Sequence, residues 1–477
     1  MKINLKFNVW LIILILSNKV IFGQDKYWTL EQCVTRAFEN NITIKQSQLQ
    51  LENSNLEKSS AVANFFPNVN ASLNHSWNYG LNQNITTGIL ENITTQFSSM
   101  AVNFGVDVYN GLQNVRRLHR ANLSIIANEY NIEDIKDDIG LLVANAYLQI
   151  MFNREILTVQ KQQLEITIEQ LERTKALVQA GIIVEGDLFD IEASLANQQQ
   201  TLIQAENAYR ITKINLAQLL LITDYENFEI SNENYDVPFS QILDESPKDI
   251  FIKALSHRND IKRAITNLEI AETDIEISKG ALQPSISAFY GYSSRISYSD
   301  RIERSGEFNS VPIGYLSTTG EPVLTDVEKT KVVGPMSITD QLNMNDGHNF
   351  GLQLSIPIFN RLIAKNNVKR NLINLDIVKN QFEQDKLDLE NTINQSLNDA
   401  RGAMKAFEAA KKTELARKTA YNYAKERFEN GALNSINFFQ AQQLYESAQS
   451  DLIKAKYDYI FKIKVLEFYF GVDDFSI

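Results

Sequence analysis

The sequence predicts an α+β chain, mostly α, in which one plan of helix, two strands and a long helical hairpin is laid down twice. Three observations carry this. A first displacement, which lays Ala37 on Ala254, also lays Ile44-Lys45 on Ile261-Lys262, Leu51-Glu52 on Leu268-Glu269, Pro67 on Pro284 and Ala71 on Ala288. A second, longer displacement lays Asn110 on Asn360, Arg120 on Arg370, Gly181 on Gly431, Phe189 on Phe439, Leu202 on Leu452 and Tyr209 on Tyr459, the punctuation of a duplicated layout. Finally, all eight prolines sit at Pro67 or between Pro238 and Pro357, leaving 68–237 and 358–477 without one. Proline costs about 3 kcal/mol inside a helix, so those stretches are free to be helical.

In chain order, Lys2 and Lys6 precede an apolar run from Phe7 to Leu16, then Ser17, Asn18 and Gly23. This is the pattern of a secretory leader over 1–23, cleaved near Gly23; the run is well short of the roughly 20 residues that span a bilayer. The single cysteine, Cys33, lacks the preceding small residue of a lipoprotein signal and reads as a small buried helix residue; alone it excludes a disulfide-stapled fold. The first repeat is expected over 24–246 and the second over 247–477.

After Pro67 the period becomes two: Val69, Ala71, Leu73, Trp77 and Tyr79 alternate with polar neighbours. Val102 to Val108, Ile286 to Tyr292 and Phe350 to Ile358 repeat the pattern. Four strands of about ten residues, alternating and with aromatics toward one end, suit a membrane barrel with one face on lipid. A half-buried soluble strand alternates in the same way, but nothing else in the chain supplies a second sheet. Four strands cannot close a barrel, and open sheet edges are not viable in hydrocarbon. Copies of the chain must therefore associate, two giving eight strands and three giving twelve.

Each strand pair is followed by helical sequence. Val143, Ile150, Leu157, Leu164, Leu171 and Val178 recur every seven residues, a coiled-coil seam; from Gly111 to Gln179 such a helix would run about 100 Å at 1.5 Å per residue. Gly181 and Gly431 interrupt the helical pattern and mark hairpin turns. The second displacement exceeds the first because the second copy carries an insertion. It falls in a segment of about 298–347 holding Pro312, Pro322 and Pro335 and is expected to be a long extracellular loop. The stretch from Gly80 to Gln96 reads as a shorter one.

A net charge of −12 argues against nucleic acid, which favours a basic face. His75, His119, His257 and His348 have no ligand spacing, and the chain has no phosphate loop, nucleophile elbow or Cys-x-x-Cys. No enzyme, metal or cofactor is expected. Arg116, Arg117, Arg120, Lys365, Lys369 and Arg370 follow the strands and read as a solvated helix face.

Taken in order, these motifs resemble the TolC-like outer-membrane efflux proteins over essentially the whole chain after the leader. Arg427-Phe428 followed by Gly431 resembles the family's Arg-aromatic-x-x-Gly turn, and Gly181 through Asp187 its partner. Arg258-Asn259-Asp260-Ile261 resembles the opening-helix pattern, with Asn259, and Ile42 in the first copy, in place of its proline. The resemblance implies a homotrimer with a twelve-stranded barrel continued by a helical periplasmic barrel. It also implies an exit duct in the outer membrane of a Gram-negative bacterium, in contact with outer-membrane lipid, a periplasmic adaptor and an inner-membrane pump. It places Asp187 and Asp190, with Asn437 and Gln440 in the second copy, at a periplasmic aperture, and Gly181, Ile182, Gly431 and Ala432 at the adaptor contact. The competing expectation is an exported coiled-coil adhesin without a pore.

Overall fold

The computed structural model describes residues 27–84, 88–232 and 241–471; the expected leader lies outside them. The elements are α1 (Leu30–Asn40), α2 (Ile42–Ala63), β1 (Asn68–Gln83), β2 (Leu90–Asn110), α3 (Gln113–Gln179) and α4 (Glu185–Leu219). A short 3-10 turn (Gln241–Asp244) leads into α5 (Pro247–His257), α6 (Asn259–Gly280), β3 (Ser285–Ser297), β4 (Arg301–Tyr315), β5 (Pro322–Val333), α7 (Ile338–Met344), β6 (Gly347–Ser355), α8 (Ile363–Glu429) and α9 (Ser435–Phe470). The first displacement carries both ends of α1 and α2 onto those of α5 and α6, and the second carries both ends of α3 onto those of α8.

The opening helices begin on side-chain caps. Thr29 and Gln32 form a reciprocal capping box before α1, and Ser246 accepts from the Asp249 N–H before α5, with Pro247 in the first turn. These satisfy N–H groups that the helix leaves free. Among the described residues no helix is long and apolar enough to cross a membrane.

The chain divides into two compact units. One, residues 55–122 and 269–376, holds an antiparallel sheet in the order β1-β2-β3-β6. Val69 lies opposite Phe104, Phe104 opposite Tyr290, and Tyr290 opposite Phe350, so the apolar rows stay on one face across all four strands. Both edge strands carry large exposed apolar side chains: Leu73, Trp77 and Tyr79 on β1, Phe350, Leu352 and Leu354 on β6.

Three boundaries differ from the sequence reading. β6 ends at Ser355 rather than reaching Ile358, because Pro357 has no N–H to donate to a ladder. The loop expected from Gly80 to Gln96 is mostly strand, since the Asn82 amide bonds across to the Ile93 carbonyl at 2.9 Å. The segment expected as a long loop carries a two-stranded hairpin, β4 paired with β5, and then α7. Buried Gln341 of α7 receives the Ser297 N–H at 2.8 Å and donates to the Ser297 carbonyl at 2.9 Å. Its prolines are tolerated because the hairpin has free edges.

The other unit, of which residues 27–54, 123–232, 241–268 and 377–471 are described, is mostly helical. It has two apolar clusters. One gathers α1, α3 and α4 with Tyr457 and Ile460 of α9; Cys33, Ala37, Val143, Tyr147 and Ile150 are fully buried there. Burial pushes the Cys33 thiol up to about 12. The second gathers α5, α8 and α9 around Ile250, Ala254, Ile393, Ala400 and Ile463. Along α3 the heptad seam becomes mixed past Met151: Leu157 and Leu164 are half-buried, Val159 and Leu171 are buried, and Asn153, Gln160, Gln163, Thr167 and Thr174 are buried beside them.

Candidate functional site at the hairpin turns

The two long hairpins turn through the same backbone. Gly181 has φ +71° and Gly431 φ +69°. The Gly181 N–H donates to the Val178 carbonyl at 2.9 Å and that of Ile182 to Leu177 at 2.9 Å; Gly431 to Phe428 at 3.1 Å and Ala432 to Arg427 at 2.7 Å repeat the pair. This double closure satisfies the last helical carbonyls and requires a left-handed residue. A Cβ at either glycine would meet nothing within 4 Å, so conformation, not room, selects glycine. Gly181, Ile182, Gly431 and Ala432 are all exposed.

The expected aperture residues divide. Asp187 is half-buried in the first turn of α4, and its carboxylate accepts from the Ser435 hydroxyl at 2.7 Å. Ser435 is the first residue of α9, so this bond ties the starts of the two return helices together. Asp190, Asn437 and Gln440 are exposed. The Asn437 N–H donates to the Asn434 side chain at 3.0 Å, making Asn434 the cap of α9. The matching cap position of α4 is Val184, which has no side-chain cap; there Glu185 and Asp187 oppose the positive helix end.

Several residues near the turns escaped the sequence reading. Phe438 is 1% exposed and stacks on Phe428 at 4.6 Å, while Tyr421 stacks on Tyr445 at 5.4 Å. Arg173 of α3 reaches the carbonyl of Glu429 at 2.9 Å and pairs with its carboxylate at 3.5 Å. Gln163 donates to Gln449 at 3.2 Å, and Gln198 to Gln160 at 2.8 Å. The Arg-Phe and Phe-Phe pairs and the glutamines are visible in sequence, but Gln163 and its partner are 286 positions apart, beyond any local pattern. Burial raises the Glu446 carboxyl above its ordinary range, against the smaller lowering by the Gln442 amide that donates to it.

The basic residues after the strands are not a uniform solvated face. Arg116 pairs with Glu276 at 3.3 Å and Arg120 with Asp274 at 2.6 Å, both on α6. Lys365, Lys369 and Arg370 are exposed and make no ion pair among the described residues. Among those residues no group of three His, Cys, Asp or Glu is placed to hold a metal ion.

The chain thus combines a four-stranded sheet with two open edges and two helical hairpins, each turning on a matched glycine between a 67-residue helix and a return helix of 35 or 36 residues. The chain matches the outer membrane efflux protein family over residues 33–220 and 252–471, and it belongs to that family. Its members are outer-membrane channels, passive conduits and not enzymes. The cation efflux system protein CusC of Escherichia coli strain K12 is 22% identical over 450 residues, 89% of this chain and 82% of CusC. A crystal structure of CusC superposes with TM-score 0.73 at 16% identity, over 92% of this chain and 91% of that one. VceC from Vibrio cholerae gives TM-score 0.73 at 12% identity, over 93% and 96%.

Proposed function

We propose that three copies of this chain form the exit duct of a tripartite efflux or secretion system, receiving substrate from an inner-membrane pump through a periplasmic adaptor. The observation that carries it is the pair of open sheet edges lined by large exposed apolar residues, which only association can satisfy in a membrane. Family membership supports the coupling to adaptor and pump. The exposed turn residues Gly181, Ile182, Gly431 and Ala432 are the proposed adaptor contact. The proposed aperture is ringed by Asp187 and Asp190, with the uncharged Asn437 and Gln440 between them. Like charges brought close on a shared axis repel and favour a cation among them.

The test is oligomeric state in detergent together with conductance in planar bilayers. Trimers that conduct are expected; monomeric, water-soluble protein would overturn the reading and favour the adhesin. At the aperture, Asp187→Asn should lower cation selectivity several-fold while the trimer persists. Unchanged selectivity would reduce Asp187 to a helix-start acid bonded to Ser435.

A further inference from the structure

The junction between β6 and α8 carries an uncompensated basic patch beside exposed apolar side chains. The row Phe350, Leu352 and Leu354 runs on past the last ladder residue, Ser355, through Ile356 and Ile358. Phe359, Leu362 and Ile363 extend it, and these last five are all at least 51% exposed. Arg361, Lys365 and Lys369 stand among and just beyond them, four residues apart, so that the two lysines share one face of α8 and Arg361 precedes its first turn. All three are exposed, and none is in an ion pair among the described residues. No Asp or Glu occurs from Gly347 to Leu375. On α6, Asp274 is already paired with Arg120, and Glu276 with Arg116 and Lys279.

The duplicated plan supplies an internal control. The second displacement carries Gly111, Val115 and His119 onto Arg361, Lys365 and Lys369, the same frame with no lysine or arginine at any of the three positions. Inside the chain α3 has neighbours on two sides: Asn114 donates to the Asn64 carbonyl, just past α2, at 3.0 Å, and Arg120 pairs with Asp274 of α6. Val115 and His119 are exposed all the same, so the matching face of α8 is one that flanking helices leave open. The backbone gives a second contrast. Gly111 turns from strand to helix at φ +68°, which glycine adopts freely, whereas Arg361 holds φ +55° at the same point. L residues rarely take that region, and the cation stands there at a conformational cost.

We infer that Arg361, Lys365 and Lys369 hold the phosphate of an anionic glycerophospholipid in the inner leaflet of the outer membrane, one lipid per chain. Channels of this family extend from the outer membrane into the periplasm, so the sheet end from which α8 departs faces that leaflet. The order along the chain, apolar and then cationic, is the order of acyl chain and headgroup. From Arg361 to Lys369 is about 12 Å of helix rise, against a headgroup layer roughly 5–8 Å thick. Helical side chains lean toward the N-terminus, which on α8 is the sheet end, and the apolar stems of lysine and arginine lie along hydrocarbon while their charged heads stay wet. Both lysines are thereby drawn back to the headgroup layer. A guanidinium grips two phosphate oxygens at once, and the ammonium groups add charge beside it. The first copy, with Gly111, Val115 and His119, offers no such site.

The site needs the sheet in a membrane but neither pump nor adaptor, so it stands or falls apart from the proposed transport role. Its test is native mass spectrometry of the detergent-purified full chain, titrated with dioleoylphosphatidylglycerol or dioleoylphosphatidylcholine. One phosphatidylglycerol per chain is expected, bound at least ten-fold more tightly than phosphatidylcholine. Lys365→Gln with Lys369→Gln should weaken phosphatidylglycerol at least five-fold and leave phosphatidylcholine unchanged. Arg117→Gln, off this face, should alter neither. Arg361→Gly should also weaken phosphatidylglycerol, yet raise the thermal midpoint in lipid-free detergent because glycine relieves the left-handed backbone; a merely structural arginine would not move the two readouts in opposite directions. Equal affinity for the two lipids, undiminished phosphatidylglycerol binding in the double lysine variant, or two equally strong sites per chain would overturn the proposal. So would displacement of phosphatidylglycerol by an equal concentration of inorganic phosphate, which would assign the cations to a free anion.

Discussion

Leu171, Val178 and Leu188 flank the α3/α4 turn in sequence, whereas the matching positions around the α8/α9 turn hold Tyr421, Phe428 and Phe438. The backbones agree, with φ +71° at Gly181 and +69° at Gly431, and share the same pair of closing hydrogen bonds. The first return helix has no side-chain cap and carries two acids in its first turn; the second is capped by Asn434, carries none there, and has stacked rings beside it. The difference teaches that the turn is a backbone device, set by glycine, while the packing beneath can diverge. It also makes the second turn the better anchored, and leaves the charge of the proposed aperture on the first.

The comparison can be broken most directly at Phe438. Phe438→Ala empties a fully buried ring site and should cost about 3–5 kcal/mol, read as lost hydrogen-exchange protection over 421–445. Leu188→Ala, at a half-buried position, should cost clearly less over 171–195; equal losses would show that the rings add nothing.

A smaller and symmetrical effect is expected at the glycines. Gly181→Ala and Gly431→Ala each force an L residue into the left-handed region at about 1–2 kcal/mol, with room for the added methyl in both. Matched losses in exchange protection sharpen the view that the turn is independent of its packing, and a two-fold or greater disparity would refute it.

The smallest effect concerns pH. The Glu446 carboxyl is raised above its ordinary 4.5, mainly by burial, so the folded state holds the proton more tightly than the unfolded one. The extra stability is present in full below about 4.5 and is lost as pH rises through the folded pKa. Tyr421, Glu429 and Glu169 border this region and add no positive charge. The second hairpin should therefore gain exchange protection in mild acid, whereas the first, with Ala196 at the matching position, should not. In Glu446→Gln that gain should vanish; its persistence would assign the pH response to another group.

Much of this was legible in sequence. Pro67 and Pro284 announced the strands, the proline-free stretches announced long helices, the first of which starts just past Gly111, and Gly181 and Gly431 marked both turns. Several missed features have partners that are remote in sequence. The Asp187–Ser435 bond and the Gln163–Gln449 bond join positions 248 and 286 apart. The β4–β5 hairpin was read as a loop because Gly306, Gly314, Pro312 and Pro322 obscure its alternation, which only cross-strand pairing restores.

By itself, then, the sequence determined the duplicated plan, the order of elements and the glycine turns, because each follows from local propensity and periodicity. Tertiary structure alone decided which helix faces are polar or apolar, that Asp187 is shared with Ser435, and how β2 registers on β3. Those depend on which distant side chains arrive at the same place, and burial and hydrogen bonding act only once they have met.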